Sequence, residues 1–449
     1  MTLEEIRRRF ADDRIDRVQL GAFDLDGVLR GKYISLEKFA SAAESGLGFC
    51  DVVFGWDIGD ALYDNVRLTG WHTGYPDALA RIDLGSYRRI PWEPGTALFL
   101  LDLYDKAGEP LAVAPRNLLR GVLDRAASLG YEASFAAEYE FWVFQETPHS
   151  LRDKAFRNLT PLTPGMFGYS LLRASSNSGF VLDVIDQLAA FDVPLEGFHT
   201  ETGPGVWEAA IQVDSGLAAA DKAALFKTAV KLIAARHGLL PTFMAKWNAD
   251  LPGSGGHLHQ SLWDRDHARN LFHDPGGDGM SETMRQYLAG LVRYLPEWMV
   301  MFCPTVNSYK RTVPGTWAPI NATWGVDNRT TAVRAIPGSA RAARIETRLT
   351  GADINPYIAM AASLAAGLEG IERRIGLSPP TVNAYEAANA PALPRNLADA
   401  TRQFRSSEAA RRWFGDQFVE HYAATREWEV RQSEKAVTDW ELARYFESI

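Results

Sequence analysis

The stretch AAEYEFWVF at residues 136–144 is the most informative part of this 449-residue chain. Aromatic and β-branched residues dominate it and Gly130 lies upstream, which is typical of a β-strand. Since side chains alternate along a strand, Glu138 and Glu140 share one face while Tyr139 points to the other. Two carboxylates about 7 Å apart on an apolar strand repel each other and lose hydration. They indicate either bound cations or a solvated edge strand, and any further ligands must come from elsewhere in the chain.

The composition favours an intracellular enzyme with more than one domain. Hydrophobic residues make up 46% of the chain, enough for a large core shared by two or three domains. The formal net charge of −9 argues against nucleic acid or an acidic membrane surface as a partner. No apolar run approaches the roughly 18 residues of a spanning helix, and Cys50 and Cys303 are the only cysteines. We therefore expect a cytoplasmic protein without a disulfide framework or a cysteine-rich zinc site.

The pattern of strands and helices predicts an α+β chain with two domains. A small mixed domain covers residues 1–108 and ends at a turn, and a second domain covers residues 109–449. In the second domain, residues 146–180 contain three prolines and three glycines and predict a long loop. Residues 280–302 predict a helix that Pro296 interrupts.

Three further segments each place acidic or basic side chains on one face of a predicted strand or turn. They contain Glu201 and Glu208 around a TGPG turn, His257 and His259 at i, i+2, and Arg344, Glu346 and Arg348 at i, i+2, i+4. Taken singly, these sets also fit solvated glutamates, core histidines with satisfied nitrogens and a surface ion-pair ladder. Together with the first strand they could converge on one cavity with five carboxylates and one imidazole. Such a mostly oxygen site suits Mg²⁺ or Mn²⁺ better than zinc.

A cluster of basic residues follows in a chain that is otherwise acidic. Beyond Lys310 it consists of Arg311, Arg329, Arg334, Arg341, Arg344 and Arg348. Planar guanidinium groups suit phosphate and carboxylate ligands, so the cluster indicates an anionic substrate. Divalent metals beside arginines are what phosphoryl transfer needs, because the charge of the moving phosphoryl group must be neutralised. The sequence contains no GxxxxGK[ST] motif, so a P-loop does not hold the phosphates.

Four short motifs occur in order along the second half of the chain. They are NSYKR at 307–311, VPG at 313–315, DNR at 327–329 and NPYIAM at 355–360. Together they resemble signatures of the glutamine synthetase superfamily of the bacterial type, in its gamma-glutamyl–amine ligase branch. The resemblance implies an N-terminal β-grasp domain over 1–108 and a catalytic domain over 109–449, whose curved antiparallel sheet lines a funnel. It also implies a homododecamer of two stacked hexamers, in which a neighbour's N-terminal domain completes each active site.

The resemblance assigns roles to the acidic and basic residues, with ATP and two or three Mg²⁺ or Mn²⁺ ions as cofactors. The metal ligands that it implies are Glu140, Glu201 and Glu208 for one ion and Glu138, His257 and Glu346 for the other. The positions on the nucleotide side are Glu196, His259, Ser261, Arg334 and Arg344. The positions that hold glutamate are Arg311, Arg348 and Gly253, and a phosphate-stabilising position is Arg329.

The reaction implied by the resemblance has two steps. The γ-carboxylate of L-glutamate attacks ATP to give γ-glutamyl phosphate, and an amine then displaces the phosphate to give an amide. Metals and arginines lower the repulsion between the carboxylate and the triphosphate, which is the main barrier to the first step.

The chain departs from the family pattern where the nucleophile would bind. Two residues after Gly315 stands Trp317, where glutamine synthetases have a glutamate that closes the site and helps to deprotonate ammonium. An indole can neither accept a proton nor offer a carboxylate to an ammonium ion. Asp57 is a loosely aligned counterpart of the family's ammonium-binding aspartate. Two further departures are Pro252 in place of an asparagine and Val206 in place of a glutamine.

These departures lead to the hypothesis that the acceptor is an organic amine. Trp317, together with Trp56 of a neighbouring subunit, would form an apolar wall, and an alkylammonium on an indole face would gain about 0.5–2 kcal/mol. Three alternatives stay open at the level of the sequence. Ammonia could remain the acceptor with Trp317 as a packing substitution, the carboxylates could serve a metal-dependent hydrolase, or the protein could be an inactive structural or regulatory relative.

Overall fold

The computed structural model describes residues 1–387 and 389–449, which form two sheets and a set of surrounding helices. The strands of the smaller sheet are β1 (Arg17–Phe23), β2 (Leu29–Ser35), β3 (Leu47–Cys50), β4 (Asp77–Ile82), β5 (Arg88–Arg89) and β6 (Thr96–Tyr104). Those of the larger sheet are β7 (Glu132–Phe144), β8 (Leu195–Thr200), β9 (Val206–Ile211), β10 (Asp214–Ser215), β11 (Leu240–Thr242), β12 (Gly256–Trp263), β13 (Trp324–Val326), β14 (Val333–Ile336) and β15 (Arg344–Thr347).

The helices confirm the α+β prediction. They are α1 (Leu3–Asp12), α2 (Leu36–Ser45), α3 (Pro115–Ser128), α4 (Pro148–Asp153), α5 (Leu171–Ser176), α6 (Ser178–Ala190), α7 (Gly216–Arg236), α8 (Glu282–Phe302), α9 (Pro356–Glu372), α10 (Leu397–Ser406), α11 (Glu408–Lys435) and α12 (Asp439–Tyr445). Among the described residues, none of these helices combines the length and the hydropathy of a membrane-spanning segment.

The smaller sheet has the strand order β2-β1-β6-β4-β3, and β5 pairs with β6. Strands β1 and β6 run parallel, and the other pairs are antiparallel. Strand β6 reads TALFLLDLY and is buried over all but its last residue, so it forms the centre of this sheet. The predicted domain boundary at residue 108 lies between β6 and α3 and stays a prediction.

The larger sheet is built around β7, its longest strand. The strand order is β13-β14-β15-β12-β7-β9-β8, with β10 and β11 also paired to β7. All pairs are antiparallel except β13 with β14. One face of β7 is apolar, as predicted: Phe141 packs within 6.0 Å of Phe226 on α7 and 5.0 Å of Phe243, measured between ring centroids. Helix α7 therefore covers this face, and the glutamates of β7 are left on the opposite face.

Two predictions of local structure are wrong. Residues 146–180 contain the short helices α4 and α5 and the start of α6, because Thr147 and Ser170 cap helices that are too short to show hydrophobic periodicity. Helix α8 continues through Pro296, which lies inside it. Its tertiary packing outweighs the hydrogen bond that a proline removes.

A buried arginine, Arg116 on α3, links the smaller sheet to helix α7, which covers the larger sheet. Its carboxylate partners lie at 2.6, 2.5 and 2.9 Å and are Asp83, Asp102 on β6, and Asp221 on α7. An unpaired charge in such a place is costly because it has lost its hydration.

We expect Arg116→Ala to lower the free energy of unfolding by about 3–5 kcal/mol, since it leaves the buried carboxylate of Asp221 without its cation. Guanidinium chloride titration followed by circular dichroism measures the change. The matched control is Arg402→Ala, which removes an exposed pair with Asp399 and should cost less than about 1 kcal/mol. Equal losses in the two variants would contradict the structural role of Arg116.

Candidate active site

The strand register places the predicted polar residues in one band across the larger sheet. The directly paired residues are His257 with Glu138, His259 with Glu346, Arg334 with Glu346, Glu140 with Glu208, and His199 with Glu208. These pairs span six strands from β14 to β8. The band arises because residues two positions apart on one strand, and directly paired residues on adjacent strands, point to the same face of the sheet.

The first cluster lies where β7, β12 and β15 meet. His257 Nδ1 lies 3.0 Å from a carboxylate oxygen of Glu138 and 3.4 Å from one of Glu346. The Nε2 atom of His259 lies 3.8 Å from Glu138. Glu138, His259 and Glu346 each offer a ligand atom within 4.8 Å of the others. Both histidines therefore face the same two carboxylates. The family resemblance had assigned a metal role to His257 and a nucleotide role to His259.

The second cluster lies on β8, β9 and the turn between them. The Nε2 atom of His199 lies 3.4 Å from Glu201 and 3.4 Å from Glu208. The ligand atoms of these three residues lie within 4.8 Å of one another. Glu140, the third member predicted for this metal, accepts a hydrogen bond from the backbone N–H of Gly255 at 2.6 Å.

His199 was missed by the sequence reasoning, although a signal for it existed. His199 and Glu201 stand two residues apart, the same spacing that drew attention to His257 and His259. Tyr169 was also missed, because it lies in the stretch predicted to be a loop. Its ring stacks on that of His199 at 4.2 Å and an angle of 17°. Burial and the charge of Glu201 raise the pKa of Tyr169 to about 12.

The electrostatics of the two clusters differ. Burial and three neighbouring carboxylates raise the pKa of Glu208 to about 9; these belong to Glu138, Glu140 and Glu201. For Glu346, burial raises the pKa, but the charges of His257 and Arg348 prevail and hold it at about 2. The pKa of Glu138 is likewise lowered, as hydrogen bonds from His257 and His259 outweigh burial.

The donor set fits divalent cations. Carboxylate oxygens dominate each cluster and an imidazole completes it, which suits Mg²⁺ or Mn²⁺. Burial and the neighbouring carboxylates raise the pKa of Glu208, and a bound cation would neutralise the negative charge of this group. The assignment of particular residues to two ions stays a prediction.

The predicted glutamate-binding arginines lie beside the first cluster. Arg311 is buried, and its guanidinium lies 3.5 Å from His257 and donates to the carbonyl of Leu349 at 3.2 Å. Gly253 packs on its side chain, and a Cβ at Gly253 would lie 2.7 Å from Arg311 Cγ. Arg348 is buried too, pairs with Glu346, and donates through Nε to the carbonyl of Arg329 at 3.2 Å. The structure thus brings three of the predicted arginines and the glycine to one region.

Other arginines border the same clusters. Arg334 donates to Glu346 at 3.0 Å and to Asp327 at 3.0 Å. Arg344 donates through Nε to His259 Nδ1 at 3.3 Å. Both predicted phosphate-side arginines therefore contact the band of acidic and imidazole groups.

A polar cavity of about 480 Å³ lies at the end of the sheet where β12 meets the start of β7. It is lined by Glu132, Ser134, Val213, Asp214, Ser215, Arg265, Asp266 and His267. Ser261, predicted on the nucleotide side, is paired with Ser134, a lining residue. His267 stacks on Trp263 at 4.5 Å. The predicted Glu196 lies at a bulge of β8 with an exposed side chain, and no hydrogen bond or ion pair among the described residues joins it to this cavity.

The two residues predicted to handle the nucleophile lie apart in the chain. Trp317 stands on the irregular segment before β13, is 66% exposed, and has a left-handed backbone with φ of 59°. Asp57 belongs to the N-terminal region and accepts a hydrogen bond from Trp428 Nε1 at 2.9 Å. In the part of the chain that the structure describes, no hydrogen bond or ion pair joins Asp57 to either carboxylate cluster. Its predicted action on a neighbouring subunit stays a prediction.

A large sheet that carries two carboxylate–histidine clusters beside buried arginines has the groups that metal-assisted phosphoryl transfer requires. Residues 112–445 match the glutamine synthetase catalytic domain, and the chain belongs to the glutamine synthetase family. A solved structure of GmaS with ADP aligns with a TM-score of 0.85 and 30% identity, covering 98% of each chain. The predicted curved catalytic sheet and grasp-like N-terminal domain are thereby confirmed.

Three curated relatives span nearly the whole chain. The type-1 glutamine synthetase 2 of Dictyostelium discoideum is 47% identical, over 96% of this chain and 84% of that protein. A glutamate–isopropylamine ligase of Pseudomonas sp is 41% identical, over 99% of this chain and 98% of that protein. The gamma-glutamylethanolamide synthetase GlnA4 of Streptomyces coelicolor is 39% identical, over 99% of this chain and 96% of that protein.

Proposed function

We propose that this protein joins the γ-carboxylate of L-glutamate to an organic amine, with ATP as the activating substrate and γ-glutamyl phosphate as the intermediate. The observation that carries the proposal is Trp317. The segment 312–326 bears this exposed indole and no acidic residue, so it offers no carboxylate to an ammonium ion. Two of the relatives described above are named for glutamate–amine ligation.

The acidic clusters would hold the metal ions. One proposed donor set is Glu138, His257 and Glu346, and the other is Glu140, Glu201 and Glu208. Support comes from two trios, Glu138, His259 and Glu346 and His199, Glu201 and Glu208, because the ligand atoms within each trio lie within 4.8 Å of one another. Bound Mg²⁺ or Mn²⁺ would neutralise charge on the transferred phosphoryl group and align its oxygens. The 480 Å³ cavity near Ser261 is the proposed place for the nucleoside, and a structural neighbour binds ADP.

The arginines would orient the anionic groups. Arg311 and Arg348 are buried, so their charges are poorly screened and can hold the carboxylate of glutamate strongly. Arg334 and Arg344, on the other side of the first cluster, would contact the phosphates. The exposed Arg329 would stabilise the phosphoryl group as it moves.

The acceptor would approach along Trp317 and Tyr169. An aliphatic ammonium gains about 0.5–2 kcal/mol on an aromatic face. An aromatic amine is neutral near pH 7 and needs no base to expose its lone pair. Tyr169 stacks on His199, which lies 3.4 Å from Glu201, so it borders the second acidic cluster.

We also infer a cytoplasmic homo-oligomer, a dodecamer of two stacked hexamers, in which Asp57 and Trp56 approach a neighbour's site. The surface around Asp57 supports this assembly, because Ile58 is 62% exposed and Trp71 is 82% exposed in the single chain.

Ammonia is the competing acceptor, favoured by the relative named as a glutamine synthetase. The decisive experiment measures ATP- and glutamate-dependent phosphate release with ammonia, alkylamines, polyamines, ethanolamine and anilines. We expect an organic amine to give the highest kcat/KM. If ammonia gives the highest value, the proposal is wrong.

The same panel tests Trp317 directly. Trp317→Glu should lower the ratio of kcat/KM for the best amine to kcat/KM for ammonia by at least about tenfold, since it removes the indole face and adds a proton acceptor. Trp317→Phe is the matched control, because it keeps an aromatic wall and should preserve the preference. An unchanged ratio in Trp317→Glu would show that Trp317 does not select the acceptor.

A further inference from the structure

Two segments that are far apart in sequence run beside each other near Trp317. We name residues 312–330 the flap and residues 378–387 the strap. The indole Nε1 of Trp324 donates to the carbonyl of Ser378 at 2.9 Å, and the N–H of Thr381 donates to the carbonyl of Trp324 at 2.8 Å. The side-chain amide of Asn328 donates to the carbonyl of Thr381 at 2.7 Å. The strap is therefore hydrogen-bonded to the second half of the flap.

The contact continues toward the part of the flap around Trp317, which we name the flap tip. The N–H of Ala384 donates to the hydroxyl of Thr330 at 3.1 Å, and the side chain of Asn321 donates to the carbonyl of Ala384 at 2.6 Å. The hydroxyl of Tyr385 donates to the carbonyl of Ala318 at 3.1 Å. Tyr385 thus holds the residue that directly follows Trp317.

Trp317 needs such support. Its φ of 59° is a left-handed conformation that side chains other than glycine rarely adopt. A residue persists in this conformation only where its surroundings hold it. Close to Trp317, the flap also makes local hydrogen bonds: the hydroxyl of Thr316 donates to the carbonyl of Val313 at 2.8 Å, and the N–H of Val313 donates to the carbonyl of Arg311 at 2.9 Å. Since Trp317 is exposed, its own side chain contributes little packing.

We propose that Tyr385 is a positioning residue for the acceptor, acting through the hydrogen bond from its hydroxyl to Ala318. This bond holds the flap tip in the conformation that presents Trp317 to the incoming amine. The inference rests on the proposed function, because it assumes that the flap borders the acceptor. Tyr385 itself need not touch the amine, glutamate or ATP. The N–H of Tyr385 donates to the side chain of Asn383 at 3.1 Å, which keeps the strap turn in place.

The test is Tyr385→Phe, which removes the hydroxyl and keeps the ring. Because one neutral hydrogen bond is lost, we expect the KM for the best amine to rise about three- to tenfold. The KM values for glutamate and ATP should stay within about twofold of those of the wild type, since the buried arginines are untouched. Hydrogen exchange followed by mass spectrometry should show faster exchange in residues 312–320.

The matched control is Tyr87→Phe, which removes a hydroxyl that donates to Asp13 at 2.6 Å in the N-terminal region. We expect it to leave the KM for the amine and the exchange of the flap unchanged. The inference is overturned if Tyr385→Phe leaves both the acceptor KM and the flap exchange at wild-type values. It is also overturned if the KM values for all three substrates rise together, which would indicate a general structural role.

Failure of the inference about Tyr385 can be distinguished from failure of the proposed function. If wild-type protein prefers ammonia, the proposed function fails, and the KM of Tyr385→Phe is then measured for ammonia. A selective rise in that KM would still support the positioning role of Tyr385. If wild-type protein prefers an organic amine and the variant retains its KM, only the inference about Tyr385 fails.

Discussion

Glu208→Gln is expected to weaken Mn²⁺ binding and to lower kcat/KM for amide formation by about 10³-fold, as the loss of several kcal/mol of charge stabilisation implies. The reason is the position of Glu208, opposite Glu140 on β7 and 3.4 Å from His199. Burial and three neighbouring carboxylates raise its pKa to about 9, and a bound cation would compensate the charge of these carboxylates. A neutral amide of the same shape removes one ligand charge without creating a cavity.

Isothermal titration with Mn²⁺ in the absence of nucleotide measures the binding, and phosphate release measures the reaction. Glu44→Gln is the matched control, because Glu44 is an exposed residue of α2 outside both clusters. Its Mn²⁺ affinity and activity should equal those of the wild type. If Glu208→Gln binds Mn²⁺ with wild-type affinity, Glu208 is not a metal ligand.

Arg311→Ala should lower kcat/KM for glutamate by about 10³-fold, because truncating a buried, charge-assisted contact to a carboxylate costs several kcal/mol. ATP binding should change less than glutamate binding, since Arg334 and Arg344, and not Arg311, are the proposed contacts of the phosphates. The measurements are amide formation at varied glutamate and calorimetric titration with Mg²⁺–ATP.

Arg395→Ala, at an exposed position outside the basic cluster, is the control for the loss of an arginine. Circular dichroism must show that Arg311→Ala is folded, because the wild-type side chain supports the carbonyl of Leu349. A folded Arg311→Ala protein that still forms the amide at the wild-type rate would refute the glutamate clamp.

Much of the site could be predicted because strands make side-chain direction a simple function of sequence spacing. The alternation on β7 correctly separated Glu138 and Glu140 from the aromatic residues that pack under α7. The same rule placed His257 and His259 on one face, and their closeness to Glu138 agrees with it. The family signatures supplied the fold, since residues 112–445 match the glutamine synthetase catalytic domain.

Other features escaped prediction for physical reasons. Tyr169 reaches His199 from a segment between two short helices, and such helices depend on caps rather than on hydrophobic periodicity. Helix α8 passes through Pro296, because packing of its buried face overrides the local preference of one residue. The contact of Tyr385 with Ala318 joins residues 67 positions apart, and no local pattern encodes it.

The amino-acid order alone specified the chemistry of this protein, since it set which carboxylates, imidazoles and guanidiniums share a strand face and which residue replaces the family's glutamate at position 317. Only the tertiary structure decided which of these groups meet. It paired β8 with β9 and so brought His199 to Glu201 and Glu208, and it set both histidines of β12 against Glu138. Spacing along one strand sets the direction of its side chains. Which side chains of neighbouring strands come close depends on the strand register, which the packing of the whole sheet determines.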